Sequence, residues 1–337
     1  MIVASTKSSS SHMSAQSISI IICTYNPRLE VLKKTIEHVR GLDIDSSISA
    51  ELLIIDNNST PPLKLEDLEA EQFPIPIQIL RESKAGLMNA RMKGFHASNS
   101  DLVLFVDDDN FLSPNYLTAG GQFFRDHAKV GMAGGRIFPV PEIPLPPWMS
   151  EELLRLYAVR DLGTGTFAFS NPDTPYGAGM FVRRTAMNAV IEKPFIFGDR
   201  EGKKLNSGGD TEMAYRLKNA GWELWYLGSI SLEHFLYRTR LTSEYLERFH
   251  YAIGYDRPYI EMFWAKGRPW RRLTYLKRAF LLWLRLSLRQ SPVIEGDADP
   301  IVRERFERAF NSGMSASLFK LAGGPPIWER VQTLIPD

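Results

Sequence analysis

Cysteine is nearly absent from this 337-residue chain. Cys23 stands alone, so no internal disulfide can staple the fold, and a reducing compartment is the expected setting. It closes an apolar run, which marks it as a buried structural thiol rather than a nucleophile. Excess charge is also missing. Lys and Arg number 40 against 39 Asp and Glu, a net of +1 that gives no footing for a general nucleic-acid binder. No uninterrupted apolar run reaches the ~20 residues that cross a bilayer, so no spanning helix is expected. Residues 1–16 are Ser-rich and lack the apolar core of a signal peptide. Ser11-His12-Met13 reads as a cloning scar, and the segment is expected to be a disordered tag or leader. Internal repeats are missing as well. What remains is an ordinary globular composition, 44% hydrophobic and 23% charged, long enough for one or two domains with a large core.

Three aspartates, Asp107-Asp108-Asp109, are the most informative feature present. They follow the run Leu102-Val103-Leu104-Phe105-Val106, which reads as a buried strand. Carboxylates crowded at a strand end repel one another unless a cation sits among them. Mg²⁺ or Mn²⁺ fits, because either takes oxygen ligands and shares them with a substrate phosphate. A solvated acidic loop ahead of the next helix is the competing reading.

The aspartates belong to a longer alternation. Ile18–Cys23 is strand-like, and a helical pattern through Leu29, Leu32, Ile36 and Val39 ends near Gly41. Glu51–Ile55 and Ile77–Leu80 read as strands, with a small-residue helix from about Ala85 to Ala97 and another after Pro114. Pro139 to Pro147 reads as a loop or edge excursion rather than a central strand. Tyr176–Val182 and Glu223–Leu227 are further strands, flanking a helix that Gly208-Gly209-Asp210 opens and Gly221 ends. Such alternation indicates an α/β sheet of mostly parallel strands, whose ligands gather at the carboxyl ends. Thr24-Tyr25-Asn26, Asp56-Asn57 and Asp107–Asp109 all stand at such ends.

Together these segments resemble glycosyltransferase family 2, of the GT-A type. The resemblance rests on Ile20–Asn26, Leu53–Ser59, Gly86–Arg91, Leu104–Asp109, and Gly209-Asp210-Thr211-Glu212 with Arg216-Leu217 and Gly221-Trp222. It spans about Ser17 to His234. It implies a Rossmann-like, mixed, mostly parallel sheet flanked by helices over 17–238, with a helical C-terminal extension over 239–337. It implies an inverting, metal-dependent enzyme that moves a sugar from a nucleotide-diphospho-sugar, UDP-linked, to a hydroxyl of a glycan or lipid-linked acceptor. Thr24, Tyr25, Asn26 and Asn57 then wrap the nucleotide, Asp56 reads the base, and Arg81 and Arg91 contact the nucleotide or diphosphate. Asp107 lies near the ribose or the metal, Asp108 beside it, and Asp109 and His234 on Mn²⁺ or Mg²⁺. Gly179 allows backbone to approach a sugar, and Asp210 is the general base, with Glu212 the alternative. The family usually has Glu before this Asp, where Gly209 stands here.

The carboxyl-terminal third adds Arg271 to Arg289, basic and amphipathic at helical spacing with no acidic residue. A membrane-surface helix and a helix packed on the catalytic domain both fit. Membrane attachment would place a cytoplasmic enzyme on the inner face of the cell membrane, beside a lipid-linked acceptor. Two other functions compete: a sugar-phosphate nucleotidyltransferase and a non-catalytic nucleotide- or carbohydrate-binding module. The first needs a Gly-rich basic loop where this chain reads Thr24-Tyr25-Asn26-Pro27-Arg28. The second has no use for Asp210 together with the aspartate run.

Overall fold

A computed structural model of the protein describes residues 15–70, 72–197, 199, 205, 207–264, 272–287 and 300–323. Residues 1–14 of the expected leader lie outside these, and Gln16 already begins the first strand. The order is β1 (Gln16–Thr24), α1 (Leu29–Arg40), β2 (Ile48–Asp56), β3 (Ile77–Arg81), α2 (Leu87–Ala97) and β4 (Leu102–Asp107). Then come β5 (Asn110–Leu112), α3 (Tyr116–Asp126), β6 (Val130–Pro141), α4 (Glu151–Leu154), β7 (Thr166–Ala168) and β8 (Met180–Arg183). They are followed by α5 (Arg184–Asn188), α6 (Gly209–Asn219), β9 (Glu223–Leu236), α7 (Ser243–Trp264), α8 (Arg272–Ser287) and α9 (Pro300–Gly323).

Among the described residues the nine strands form one sheet in the order β3-β2-β1-β4-β8-β6-β9-β5, with β7 also pairing β9. β1 to β4 are mutually parallel, while β8, β5 and β7 run antiparallel to their neighbours. The sheet is therefore mixed and mostly parallel. Because helices cover both faces, β1 is apolar throughout rather than alternating. Ile18, Ile20 and Ile22 enter one core with Leu32 and Ile36 of α1, whereas Ile21 and Cys23 enter the other with Met88 and Phe95 of α2. Period-two geometry sorts one run into two cores.

The prolines behave differently from the sequence expectation. β6 continues through Pro139 and Pro141, in register with His234 and Leu236 of β9. β8 touches β6 only at Met132 and Ala133, so the proline end has a ladder on one side and a single bridge, Ile137 to Arg160, on the other. Pro lacks an N–H and is tolerated where one side of the strand needs no donor. β8 is shorter than expected, and β9 is longer, running on to include His234.

The C-terminal helices cross closely. A Cβ on Gly254 of α7 would overlap the Phe310 carbonyl, and one on Gly313 of α9 would overlap the Tyr251 carbonyl. These obstacles are backbone and cannot swing aside. Gly313→Val is therefore expected to destabilise this packing by at least about 1–3 kcal/mol, read by urea unfolding. Unchanged stability would show that the helices do not approach this closely.

Candidate active site

The parallel register brings three polar strand ends level. Thr24 pairs with Asp56, and Cys23 with Asp107. A cavity of about 500 Å³ opens there, lined by Thr24, Tyr25, Asn57, all three aspartates, Tyr157, His234, Arg240 and Tyr245 among others. Cys23 borders it but is buried, and burial pushes its thiol pKa up to about 12. It is the structural thiol that its position implies.

Each aspartate has its own partners. Asp107 takes the Arg91 guanidinium at 3.4 Å. Asp108 accepts from the Thr24 hydroxyl, and burial, then the charge of Asp109, pushes its pKa up to about 7. Asp109 is 2% exposed, with His234 Nε2 at 3.4 Å from one oxygen and Arg240 at 3.3 Å from the other. The short strand β5 explains this meeting. Asn110 stands opposite His234 in the β5–β9 ladder, and the Phe235 amide donates to the Asp109 carbonyl at 2.9 Å.

The His234 tautomer follows from its other nitrogen. Nδ1 lies 2.7 Å from the Tyr157 carbonyl, which can only accept, so Nδ1 carries a proton. In the neutral ring, Nε2 then presents a lone pair to the Asp109 carboxylate. Two acceptors face each other at 3.4 Å, an arrangement that a proton or a cation between them would suit, and the same Asp109 oxygen also accepts from Asn110 Nδ2 at 3.3 Å. A backbone carbonyl holding the far nitrogen is also how metal-ligating histidines are oriented. Among the described residues no three His, Cys, Asp or Glu side chains converge as a complete ligand set.

The residues expected around the nucleotide base are held mostly by one another. Asp56 is 1% exposed and accepts from the amides of Ser59 (2.9 Å) and Leu63 (3.2 Å), so it shapes the loop after β2. Asn57 donates to the Glu82 and Lys84 carbonyls and accepts from the Gly86 amide, tying that loop to the start of α2. Asn26, at φ 46°, is tied to Ser59 and Thr60. Arg81 donates to Asn58 and lies 3.8 Å from Asp56. Tyr25 is the open one, half exposed at the cavity rim.

Arg91 does not line the cavity. It is 3% exposed, 3.4 Å from both Asp107 and Asp199, and beneath Gly177, where a Cβ would collide with it. Burial opposes its charge, but Asp107, Asp199 and Asp210 outweigh that and raise its pKa. Asp210 stands in the first turn of α6, close enough for its charge to act on this cation. One of its oxygens accepts from the Gly177 amide (2.8 Å) and the other from the Thr211 amide (2.7 Å). Glu212 is fully buried and accepts from the amides of Ile196 and Phe197 and from Arg216. It holds the 195–197 segment and is spent as a base. Gly179, at φ 66°, is closed in by Tyr116 and Leu232 and serves a tight bend rather than a sugar surface. Trp148 packs on Phe306 and Trp222 on the core.

Arg240, the Tyr157 carbonyl and Asp199 were not anticipated. Asp199 caps α6 by accepting from the Gly209 amide at 2.6 Å. Arg240 and Asp199 come from irregular segments and Tyr157 ends a three-residue 3-10 turn, none with periodicity to mark it. The position of Arg240 just beyond a strand end was the one signal available.

Fold and cavity together define an α/β ligand site, with its acidic cluster at the carboxyl ends of parallel strands. The sequence model described as "Glycosyl transferase family 2" matches residues 19–189, and the chain belongs to that family. It is a glycosyltransferase. The chain is also 21% identical over 270 residues to the glucosyl-dolichyl phosphate glucuronosyltransferase of Haloferax volcanii, covering 79% of this chain and 84% of that one. Among solved structures it is similar to residues 1–349 of S. aureus TarS in complex with UDP (12% identity, TM-score 0.49, 91% and 92% of the two chains). GalNAc-T7 with UDP, GalNAc and Mn²⁺ is similar at 14% identity and TM-score 0.49, over 93% of this chain and 58% of that one. The chain spans 43% of the chain in another crystal structure of S. aureus TarS (13% identity, TM-score 0.48).

Proposed function

We propose that this enzyme is an inverting, metal-dependent glycosyltransferase that uses a UDP-linked sugar and a glycan or lipid-linked acceptor hydroxyl. The facing acceptors of Asp109 and His234, with Arg240 beside them in an acidic cavity, carry this reading. Asp109 and His234 would hold Mn²⁺ or Mg²⁺, since such ions take one or two protein ligands and leave the remainder to phosphates and water. When bound, the ion neutralises the diphosphate and the charge that builds on the leaving group. Arg240 adds a fixed positive charge on the same side. Asp107 and Asp108 lie along the wall where a ribose would sit.

Asp210 accepts the acceptor proton as its oxygen attacks the anomeric carbon and the bond to the diphosphate breaks. A carboxylate offers about four lone-pair sites, and backbone amides take two of those on Asp210. One base and one direct displacement give inversion. The relative's name, a transferase acting on a glucosyl-dolichyl phosphate, supports a lipid-linked acceptor. A cytoplasmic enzyme meeting that acceptor at the inner face of the membrane follows from the same reading.

Calorimetric titration of UDP and GDP, with and without Mn²⁺, tests the donor side. UDP is expected to bind with Mn²⁺, and Asp109→Ala to weaken that binding by at least about tenfold. Absence of diphosphate binding under every condition would overturn the proposal. Binding without turnover on any sugar donor would instead favour a non-catalytic module.

A further inference from the structure

α8 presents an apolar face to solvent. Leu276 (42% exposed), Phe280 (52%), Leu281 (45%), Trp283 (51%) and Leu284 (36%) lie on it. At about 100° per residue these five and the exposed Lys277 share one arc of the helix. The opposite side is anchored. Ala279 is fully buried among Tyr259, Met314 and Leu318, Leu282 packs beside it, and Arg278 turns inward to Glu261 at 2.6 Å. The helix thus has its buried face already, and the outer apolar side chains, with the Trp283 ring 5.9 Å from that of Phe280, are left largely exposed. Single exposed apolar residues are ordinary, whereas a contiguous patch marks a contact surface.

Charge decides what the patch contacts. Between Glu261 and Glu295 the sequence carries no Asp or Glu and eight Lys and Arg, of which Arg278 pairs inward with Glu261. A second copy of the chain would bring the same one-signed segment and repel it. An anionic phospholipid surface complements it, and Trp and Phe suit the boundary between headgroups and acyl chains. No described helix is long and apolar enough to cross a bilayer. We propose that the outer face of α8 docks in the plane of an anionic phospholipid bilayer, with its apolar arc at the acyl boundary and Lys277 among the phosphates.

The placement relates this surface to the transferase site. Ala279 shares a core cluster with Phe197 and with Tyr215 of α6, the helix whose first turn holds Asp210. The docked helix therefore braces the base side of the molecule. A membrane-borne acceptor would make use of this, a point that rests on the proposed acceptor; docking itself does not.

Vesicle flotation of the full chain tests the proposal, with phosphatidylcholine alone against phosphatidylcholine mixed with phosphatidylglycerol. The protein should float with the anionic vesicles and less so in high salt. Phe280→Ser with Trp283→Ser should lower partitioning by about tenfold or more, and Lys277→Glu by about tenfold. These positions are exposed, so circular dichroism and melting should match wild type. If the double variant unfolds, Lys277→Glu carries the test. No flotation with either lipid, or equal flotation of wild type and the folded variants, would overturn the proposal. So would a wild-type dimer that the variants dissolve without any vesicle binding.

Discussion

Asp210→Asn is expected to lower kcat by about 10²–10⁴-fold while leaving the affinity for UDP within about twofold. The split is the point of the measurement. The Asp210 carboxylate is not among the groups that line the cavity, so donor binding should not sense its loss. Asn keeps one acceptor oxygen for the Gly177 or Thr211 amide, so the first turn of α6 should survive. What Asn cannot do is accept a proton. Steady-state kinetics beside UDP titration separate these effects, and an undiminished kcat would remove Asp210 as the base. Glu212 is no ready substitute, since its carboxylate is enclosed by two backbone amides and Arg216.

The second large effect is on stability. Arg91→Met should cost about 3–5 kcal/mol, because it leaves the buried Asp199 without its cation and facing the partly exposed Asp107. Asp107 and Asp199 each lie 3.4 Å from the guanidinium, and Asp210 is close enough to raise its pKa. Arg91→Lys should recover only part of the loss, since one ammonium cannot fork between two carboxylates as a guanidinium does. Chemical unfolding of the three proteins measures this directly. A Met variant as stable as wild type would mean that the carboxylates are protonated or solvated, and that Arg91 does not hold them together.

Arg91 also shows how sequence and structure divide the problem. Its motif was legible, and so was its nearness to the site, but not its partners. Asp199 lies 108 positions away in an irregular segment, and no periodicity announces such a contact. β1, β2 and β4 were legible because strands covered on both faces write themselves as unbroken apolar runs. The aspartates stood out because they end such a run. β5 did not, being three residues long and directly after them. The path of β6 through Pro139 and Pro141 was hidden for a related reason, since proline argues against a strand unless one knows which side lacks a neighbour. For α8 the amphipathic pattern was visible. Which face turns outward was settled only by packing, which draws Arg278 in and leaves Phe280 and Trp283 outside.

The β5–β9 register has a consequence for how the enzyme comes into being. Asp109 and Arg240 are separated by 131 positions, and His234 reaches Asp109 only after β9 has paired with β5. Contacts so distant along the chain form late, after the costly closure of the intervening loop. During synthesis Arg91 and Thr24 leave the ribosome before Asp107 and Asp108, but Asp109 emerges well ahead of His234 and Arg240 and waits for them. The cavity closes only when the last strand of the sheet arrives, so a growing or truncated chain has the family's signature in sequence without the site that gives it meaning.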